Sequence, residues 1–280
     1  MSRESLVLVL ALIVPLLTAC AEVPGTHRKQ MMWVPISMEL SLGDEGYKTT
    51  LAESKLITSG PDYEMVQRVG ERIGAAAVRL YPERASQFKW EIVLIDDPKT
   101  VNAWCMPGGK MAVYSGLLPI TQDEDSLAVV VGHEVSHAVA RHGAERMSQT
   151  LALDAGLMAA SASMSDMDAQ KRDNIMLALV GVSTLGAILP YSRAHESEAD
   201  ELGVYIAGDA GYDPRAAIGL WERMAKESQG QAPPEFLSTH PSSASRIEHL
   251  QEVMPQALAY YEASKTREHE PSPGAAFGIH

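Results

Sequence analysis

Residue types that bind and activate metals stand close together in VGHEVSHAVARH, the stretch from Val131 to His142. His133 and His137 are four residues apart, so on a helix they lie on the same face and can reach one ion. Neutral imidazole nitrogens are ligands that zinc prefers. Glu134 lies about 100° around the helix, where a carboxylate can take a proton from a metal-activated water and deliver it to a leaving amine. The spacing predicts a hydrolytic zinc site, although H-E-x-x-H is short enough to arise by chance.

His142 is not expected to be the third ligand. It follows His133 by nine residues, which turns it about 180° away on a continuous helix. The longer pattern H-E-x-x-H-x-x-G-x-x-H is not met, since positions 140 and 143 are Ala and Gly. A catalytic zinc needs three protein ligands and a water, so the third ligand must come from elsewhere in the chain.

The stretch HESEAD, residues 195–200, supplies candidates for that role. Glu196 and Asp200 are also four residues apart on a predicted helix, so they share a face. Glu196 there can bind the metal, while Asp200 hydrogen-bonds the far nitrogen of a ligand histidine and fixes its tautomer. Glu198 is rotated by about 200° and is expected to point away. We therefore expect one zinc ion per chain.

Helices must position these residues. Apolar spacing and capping residues predict where these helices lie. One helix begins at Pro61, one runs from Thr121 to about Met147, a helical hairpin covers 151–189, and a further helix runs from Ser192 to about Gly208.

A short β region precedes the metal-binding stretch. FKWEIVLID, residues 88–96, alternates apolar and polar residues as a strand does, and two short extended segments joined at Pro107-Gly108-Gly109 follow it. The predicted fold is α+β and mainly α-helical, with an HExxH active-site helix and a small antiparallel sheet at the cleft. The segment around Gly108 and Gly109 suits an edge strand where substrate adds as a further strand. A plain hairpin turn is the alternative.

The N-terminus has the features of an export signal. Arg3 precedes an apolar run from Leu6 to Leu17, which is too short to span a bilayer comfortably. The residues LTAC at 17–20 resemble the lipobox of bacterial lipoproteins, in which the peptide is cleaved before the cysteine and Cys20 carries the lipid. An ordinary secretory signal, with Cys20 incidental, is the alternative.

The charge of the chain argues against one class of partner. The formal net charge is −13 and the isoelectric point is near 5.1. Nucleic acid requires clustered Lys and Arg, so it is excluded as a main partner.

Four blocks together resemble the HtpX and CAAX-prenyl-protease type of zinc metallopeptidase, in its soluble bacterial outer-membrane lipoprotein branch: VGHEVSHAVARHGAERMS, LPYSRAHESEADELG, VNAWCMPGGKMAVYSGLL and STHPSSASRI. That branch is also similar to the mitochondrial inner-membrane quality-control peptidase, and the resemblance covers roughly residues 37 to 255. It implies that His133, His137 and Glu196 bind zinc. Glu134 would be the catalytic base, and Asp200 would hydrogen-bond a ligand histidine.

Two residues of the block STHPSSASRI have open interpretations. In a periplasmic relative, the histidine that matches His240 occupies the fourth zinc site and holds the enzyme inactive, so His240 is a candidate switch. A loop or cleft histidine is the alternative. Arg246 either steadies an oxyanion or pairs with an acidic site residue, or it forms a salt bridge on a helix surface.

The metal-binding pattern predicts a gluzincin-like zinc endopeptidase. The resemblance implies that it acts in the bacterial cell envelope and cleaves unfolded, misfolded or misassembled envelope polypeptides. It is expected at the periplasmic face of the outer membrane, lipid-anchored at Cys20. The alternative is a largely latent, chaperone-like outer-membrane assembly factor in which His240 closes the zinc site. The expected organisation is a signal peptide (1–19), a lipidated tether (20–36), the metallopeptidase domain (37–265) and a disordered tail (266–280).

Overall fold

The computed structural model describes residues 20–267, except 166, 184–188, 228–234 and 241–243. The predicted signal peptide and residues 268–280 of the predicted tail lie outside the described residues. The chain divides into two compact units, one within Met1–Met38 and Arg141–Ser192 and the other within Glu39–Ala140 and Arg193–His280. The described strands are β1 Cys20–Glu22, β2 Lys29–Met31, β3 Leu56–Ile57, β4 Glu91–Ile95, β5 Ala103–Met106 and β6 Lys110–Tyr114.

The described helices confirm that the protein is mainly α-helical. They are α1 Ile36–Glu53, α2 Pro61–Leu80, α3 Pro82–Ala85, α4 Leu118–Thr121 after a short 3₁₀ turn, α5 Glu124–Val139, α6 His142–Ser163, α7 Ala169–Ser183, α8 Leu189–Asp209, α9 Ala216–Glu227, α10 Glu235–Thr239 and α11 Ala244–Arg267. Within the described residues, no helix combines the length and the apolar character that crossing a bilayer requires.

The sheet of the second unit is mixed, not antiparallel as predicted. Its strand order is β3-β4-β6-β5, and β4 pairs with β6 in parallel while the other pairs are antiparallel. The reason is that the chain after β4 first forms β5 at the end of the sheet. It then reverses through a tight turn, and β6 lies between β4 and β5. Both glycines of that turn have positive φ angles, 94° at Gly108 and 81° at Gly109, which favour glycine.

This order also corrects the predicted edge strand. β6 is an inner strand, so Gly108 and Gly109 belong to a hairpin turn, and β5 stands at the end of the sheet. β5 packs against α5. Of the two end strands, β3 and β5, it is β5 that lies beside the helix that carries the HExxH residues, where a further polypeptide could extend the sheet.

The helix α2 covers the sheet as its apolar spacing predicts. Val66, Val69 and Ile73 are fully buried on its inner face. A Cβ atom on Gly70 would lie 2.5 Å from Cγ2 of Ile92 on β4, so the absence of a side chain lets helix and sheet pack closely. Burial of these side chains stabilises the sheet that holds β5 in place.

The helix α5 differs from its prediction at both ends. Asp123, not Thr121, is the N-cap, and its side chain accepts a hydrogen bond from the Ser126 N–H. The helix ends at Val139 instead of continuing to Met147. Arg141 has a left-handed backbone with φ 61°, which a helix cannot include, and its Nη2 donates to the Val34 carbonyl oxygen at 2.9 Å.

The first unit joins the N-terminal residues to a helical hairpin. β1 and β2 form an antiparallel pair, and Arg28 between them pairs with Glu145 of α6 at 2.7 Å. The hairpin of α6 and α7 confirms the prediction for residues 151–189, as far as they are described. Met158 and Leu177 on it are 73% and 74% exposed.

Candidate metal centre

Two helices meet where the predicted metal ligands lie. α5 crosses α8 at a pair of glycines: a Cβ atom on Gly132 would lie 2.7 Å from the Gly203 carbonyl oxygen, and one on Gly203 would lie 2.9 Å from the His133 nitrogen. Any side chain at these positions would push the helices apart. The close crossing places the HExxH residues of α5 against Glu196 and Asp200 of α8.

Four ligand atoms converge at this crossing. One atom each of His133, His137, Glu196 and His240 lies within 4.8 Å of the other three. The Nε2 atoms of His133 and His137 are 3.1 Å apart. The Glu196 carboxylate oxygens are 3.5 Å from Nε2 of His133 and 3.7 Å from Nε2 of His137. Imidazole nitrogens with one carboxylate form a donor set that suits zinc.

Asp200 orients His133 within this cluster. Its Oδ1 lies 3.0 Å from Nδ1 of His133, and both residues are buried. An ionised carboxylate only accepts hydrogen bonds, so Nδ1 carries the proton and Nε2 faces the other ligand atoms. Burial opposes the charge of Asp200, but the Arg246 guanidinium outweighs it and holds the pKa of this carboxyl below its usual value.

The same carboxylates shape the electrostatics of the metal-binding side chains. Burial alone would lower the pKa of His133, but hydrogen bonds with Asp200 and Glu196 raise it to about 9. Burial opposes ionisation of Glu196 too, yet His133 and His240 hold its pKa well below the usual range. The ionised carboxylates of Asp200 and Glu196 thus stabilise a positive charge at His133, where a metal cation would bind.

Glu134 lies beside the four ligand residues and has a carboxylate oxygen that accepts no hydrogen bond from the described residues. The residue is 6% exposed, and within the described chain its Oε1 accepts no hydrogen bond. That oxygen lies 3.5 Å from Nε2 of His240. Burial raises the pKa of Glu134, which suits a group that exchanges protons near neutral pH.

His240 lies inside the cluster, not on a remote loop. It follows α10, and its Nδ1 is 2.9 Å from Oε2 of Glu196 and 3.2 Å from Nε2 of His133. Of the two interpretations that the sequence leaves open, this position agrees with the fourth-ligand one. The ring also packs against Phe236, with centroids 4.8 Å apart.

Arg246 is buried and does not form a surface salt bridge. Its Nε and Nη2 donate to the two oxygens of Asp200 at 2.6 and 2.7 Å, and its Nη1 lies 3.3 Å from Oε2 of Glu196. The guanidinium lies over the Trp221 ring, 4.0 Å from the centroid. Arg246 thus pairs with acidic residues of the site, which is one of the roles that the sequence suggests.

Sequence reasoning misses two aromatic residues around the centre. Trp221 and Phe236 lie 6.2 and 6.1 Å from the His133 ring, between centroids, and both are buried. No motif marks either of them, because each comes from an element far along the chain. Glu198, expected to point away, lies outside the cluster but is buried as well.

Known proteins resemble this chain over most of its length. The sequence profile of peptidase family M48 matches residues 63–254. The mitochondrial metalloendopeptidase OMA1 of Schizosaccharomyces pombe is 37% identical over 86% of this chain and 68% of its own length, and OMA1 of Saccharomyces cerevisiae is 33% identical over 86% and 71%. A putative beta-barrel assembly-enhancing protease of Vibrio cholerae is 29% identical over 86% of this chain and 50% of its own.

The mitochondrial relatives contradict the predicted localisation. The two yeast proteins, which are mitochondrial, are more similar to this chain than the Vibrio protein is. The expectation of a lipoprotein at the periplasmic face of a bacterial outer membrane is therefore wrong. Since the lipid anchor at Cys20 is part of that expectation, it has no support from these relatives.

The family agrees with the geometry of the site. M48 peptidases are zinc-dependent, and the donor set at the crossing of α5 and α8 fits that metal. The match extends over more than half of the chain and includes every residue of the cluster. This chain therefore belongs to peptidase family M48 and is a zinc-dependent metalloendopeptidase.

Proposed function

We propose that the chain cleaves unfolded, misfolded or misassembled polypeptides, with His133, His137 and Glu196 as zinc ligands and Glu134 as the catalytic base. The observation that carries the assignment of Glu134 is its buried, uncommitted Oε1 beside the ligand cluster. When bound, zinc polarises the scissile carbonyl group and makes water acidic enough to be deprotonated near neutral pH.

Glu134 moves the proton in this proposal. Its Oε1 takes a proton from the attacking water and passes it to the nitrogen of the leaving amine, which balances the hydrolysis of one peptide bond. The raised pKa of Glu134 supports this, because a carboxyl with a pKa nearer to neutral both accepts and returns a proton readily. Asp200 and Arg246 hold the His133 ring in place during the reaction.

The strand beside α5, the helix that carries Glu134, indicates the class of substrate. β5 is at the end of the sheet and packs against α5, so a polypeptide that pairs with β5 would lie beside Glu134. Only an extended backbone can add to a strand in this way, which favours unfolded or misassembled chains over folded ones. The name of the Vibrio relative, a beta-barrel assembly-enhancing protease, supports a role in protein quality control.

His240 supports a second candidate, in which the chain is largely latent and acts as a chaperone-like factor. Nδ1 of His240 is 2.9 Å from the Glu196 carboxylate, where it can take the coordination position that water needs. A peptidase requires that position to be open. We therefore propose that His240 closes the site at rest and leaves it when substrate is cleaved.

Cleavage of β-casein, an unfolded protein, separates the two candidates. Zinc-loaded wild type, Glu134→Gln and His240→Ala are compared at equal zinc content. We expect cleavage by wild type, faster cleavage by His240→Ala, and none by Glu134→Gln. Activity in His240→Ala alone would favour the latent form. A lack of activity in both wild type and His240→Ala would contradict the peptidase proposal.

A further inference from the structure

We propose that α10 couples the open edge of β5 to His240, so that a polypeptide strand adding to β5 displaces His240 from the metal centre. Strand addition would thus open the site, an inference that rests on the proposed role of His240. The residues that carry it are Val101 and Asn102, directly before β5, and Glu235 and Phe236, the first two residues of α10.

Hydrogen bonds attach the start of α10 to the start of β5. The Phe236 N–H donates to the Val101 carbonyl oxygen at 3.0 Å. The side chain of Asn102 connects the same elements: its Nδ2 donates to Oε1 of Glu235 at 3.2 Å, and its Oδ1 accepts from the Ala103 N–H at 2.9 Å. The first turn of α10 and the first residue of β5 are therefore tied together.

The bond to Val101 lies on the open side of the strand. The Asn102 carbonyl oxygen accepts a hydrogen bond from the Tyr114 N–H of β6 at 3.1 Å, so it faces the inside of the sheet. The Val101 carbonyl oxygen, one residue earlier, accepts instead from the Phe236 N–H of α10, so it is directed away from β6. Phe236 thus occupies a backbone acceptor that an added strand would use.

The other end of α10 reaches the metal centre. The His240 N–H donates to the Phe236 carbonyl oxygen at 2.8 Å, and the two rings are 4.8 Å apart. Phe236 is 1% exposed, packed near Trp221 and His133. Because His240 is one helical turn from the attachment to Val101, a strand that takes the Val101 oxygen from Phe236 also moves His240.

The absorption spectrum of the metal centre measures this coupling without any peptide cleavage. Cobalt(II) replaces zinc, because its visible absorption spectrum changes with the number of ligands, and His240→Ala defines the spectrum of a site without this ligand. Glu235→Ala removes the exposed bond to Asn102 and is expected to shift the spectrum toward that of His240→Ala. Asn102→Ala is expected to do the same. Glu262→Ala, which loses an exposed ion pair with Lys265 on α11, is the matched control and should resemble wild type.

A double variant shows whether the effect passes through His240. Glu235→Ala combined with His240→Ala should give the same cobalt spectrum as His240→Ala alone. A wild-type spectrum in Glu235→Ala, or a further shift in the double variant, would overturn the proposal. Because this measurement needs no peptidase activity, it stands even if β-casein is not a substrate, an outcome that would count against the proposed function alone.

Binding of β-casein tests the strand itself. Coupling between two sites is reciprocal, so weakening the attachment of α10 should strengthen polypeptide binding. In a Glu134→Gln background, which prevents cleavage, Glu235→Ala should bind labelled β-casein about two- to tenfold more tightly, the range expected for loss of one hydrogen bond. Glu262→Ala should not. Binding by all variants with unchanged affinity in Glu235→Ala would refute the coupling and leave the proposed function standing.

Discussion

Arg246 and Asp200 form a buried ion pair directly behind the metal-binding His133. Two nitrogens of the guanidinium donate to the two carboxylate oxygens at 2.6 and 2.7 Å, and each residue is 3% exposed. The Trp221 ring covers the guanidinium. Since Asp200 also contacts Nδ1 of His133, the position of Arg246 determines how firmly the imidazole is held.

Arg246→Lys should weaken zinc binding about 10- to 100-fold, the usual effect of losing a group that orients a metal ligand. A lysine cannot make two parallel hydrogen bonds to Asp200 or stack on Trp221 in the same way. Zinc affinity is measured by competition with a chelator, together with the melting temperature of the metal-free chain. Arg72→Lys is the matched control, because Arg72 also lies over an aromatic ring, that of Tyr212. Equal losses in the two variants would mean that the effect is only structural.

Glu196→Gln should abolish stable zinc binding. The substitution keeps the shape of the side chain but removes the charge that faces His133, His137 and His240. Glu201→Gln, on the same helix and paired with His249, is the control for general effects on α8. Metal content after dialysis distinguishes the two. Retention of zinc by Glu196→Gln, or its loss from Glu201→Gln, would show that the ligand is assigned to the wrong residue.

Glu134→Gln should keep zinc and lose catalysis. Glu134 is not one of the four clustered ligand residues, so the metal content should stay at one per chain. The amide cannot accept the proton of water, and the rate of β-casein cleavage should fall about 10²- to 10⁴-fold. Cleavage near the wild-type rate with zinc bound would rule out Glu134 as the base.

Helical spacing predicts that His133 and His137 share one face of α5 and that Glu196 and Asp200 share one face of α8, because residues four apart lie on the same side of a helix. The same reasoning fails where the backbone leaves the regular pattern. Arg141 ends α5 through a left-handed conformation, and local sequence carries no strong signal for this at an arginine. His142 is therefore set apart from His133 by a helix break, and not only by its rotation around a continuous helix.

Contacts between distant parts of the chain are the part that sequence does not predict. The parallel pairing of β4 with β6 depends on where the chain turns after β4, and two short extended segments in sequence fit an antiparallel arrangement equally well. Trp221 and Phe236 approach His133 from α9 and α10, without a motif. His240 is recognised only by resemblance, because a single histidine in a loop has no spacing to test.

Tyr212 should make the chain sensitive to alkaline pH. Burial raises the pKa of Tyr212 from 10.0 to about 12, although the nearby Arg72 acts in the opposite direction. Between pH 10 and about pH 12 the Tyr212 hydroxyl keeps its proton in the folded state but has lost it in the unfolded state. The stability that this proton contributes is therefore present below pH 10 and is lost as the pH rises toward 12. Tyr212→Phe has no such proton, and its free energy of unfolding should therefore fall less steeply over this interval. Urea unfolding of the metal-free wild type and variant at several pH values from 9 to about 11 measures the difference, and parallel curves would show that Tyr212 titrates normally.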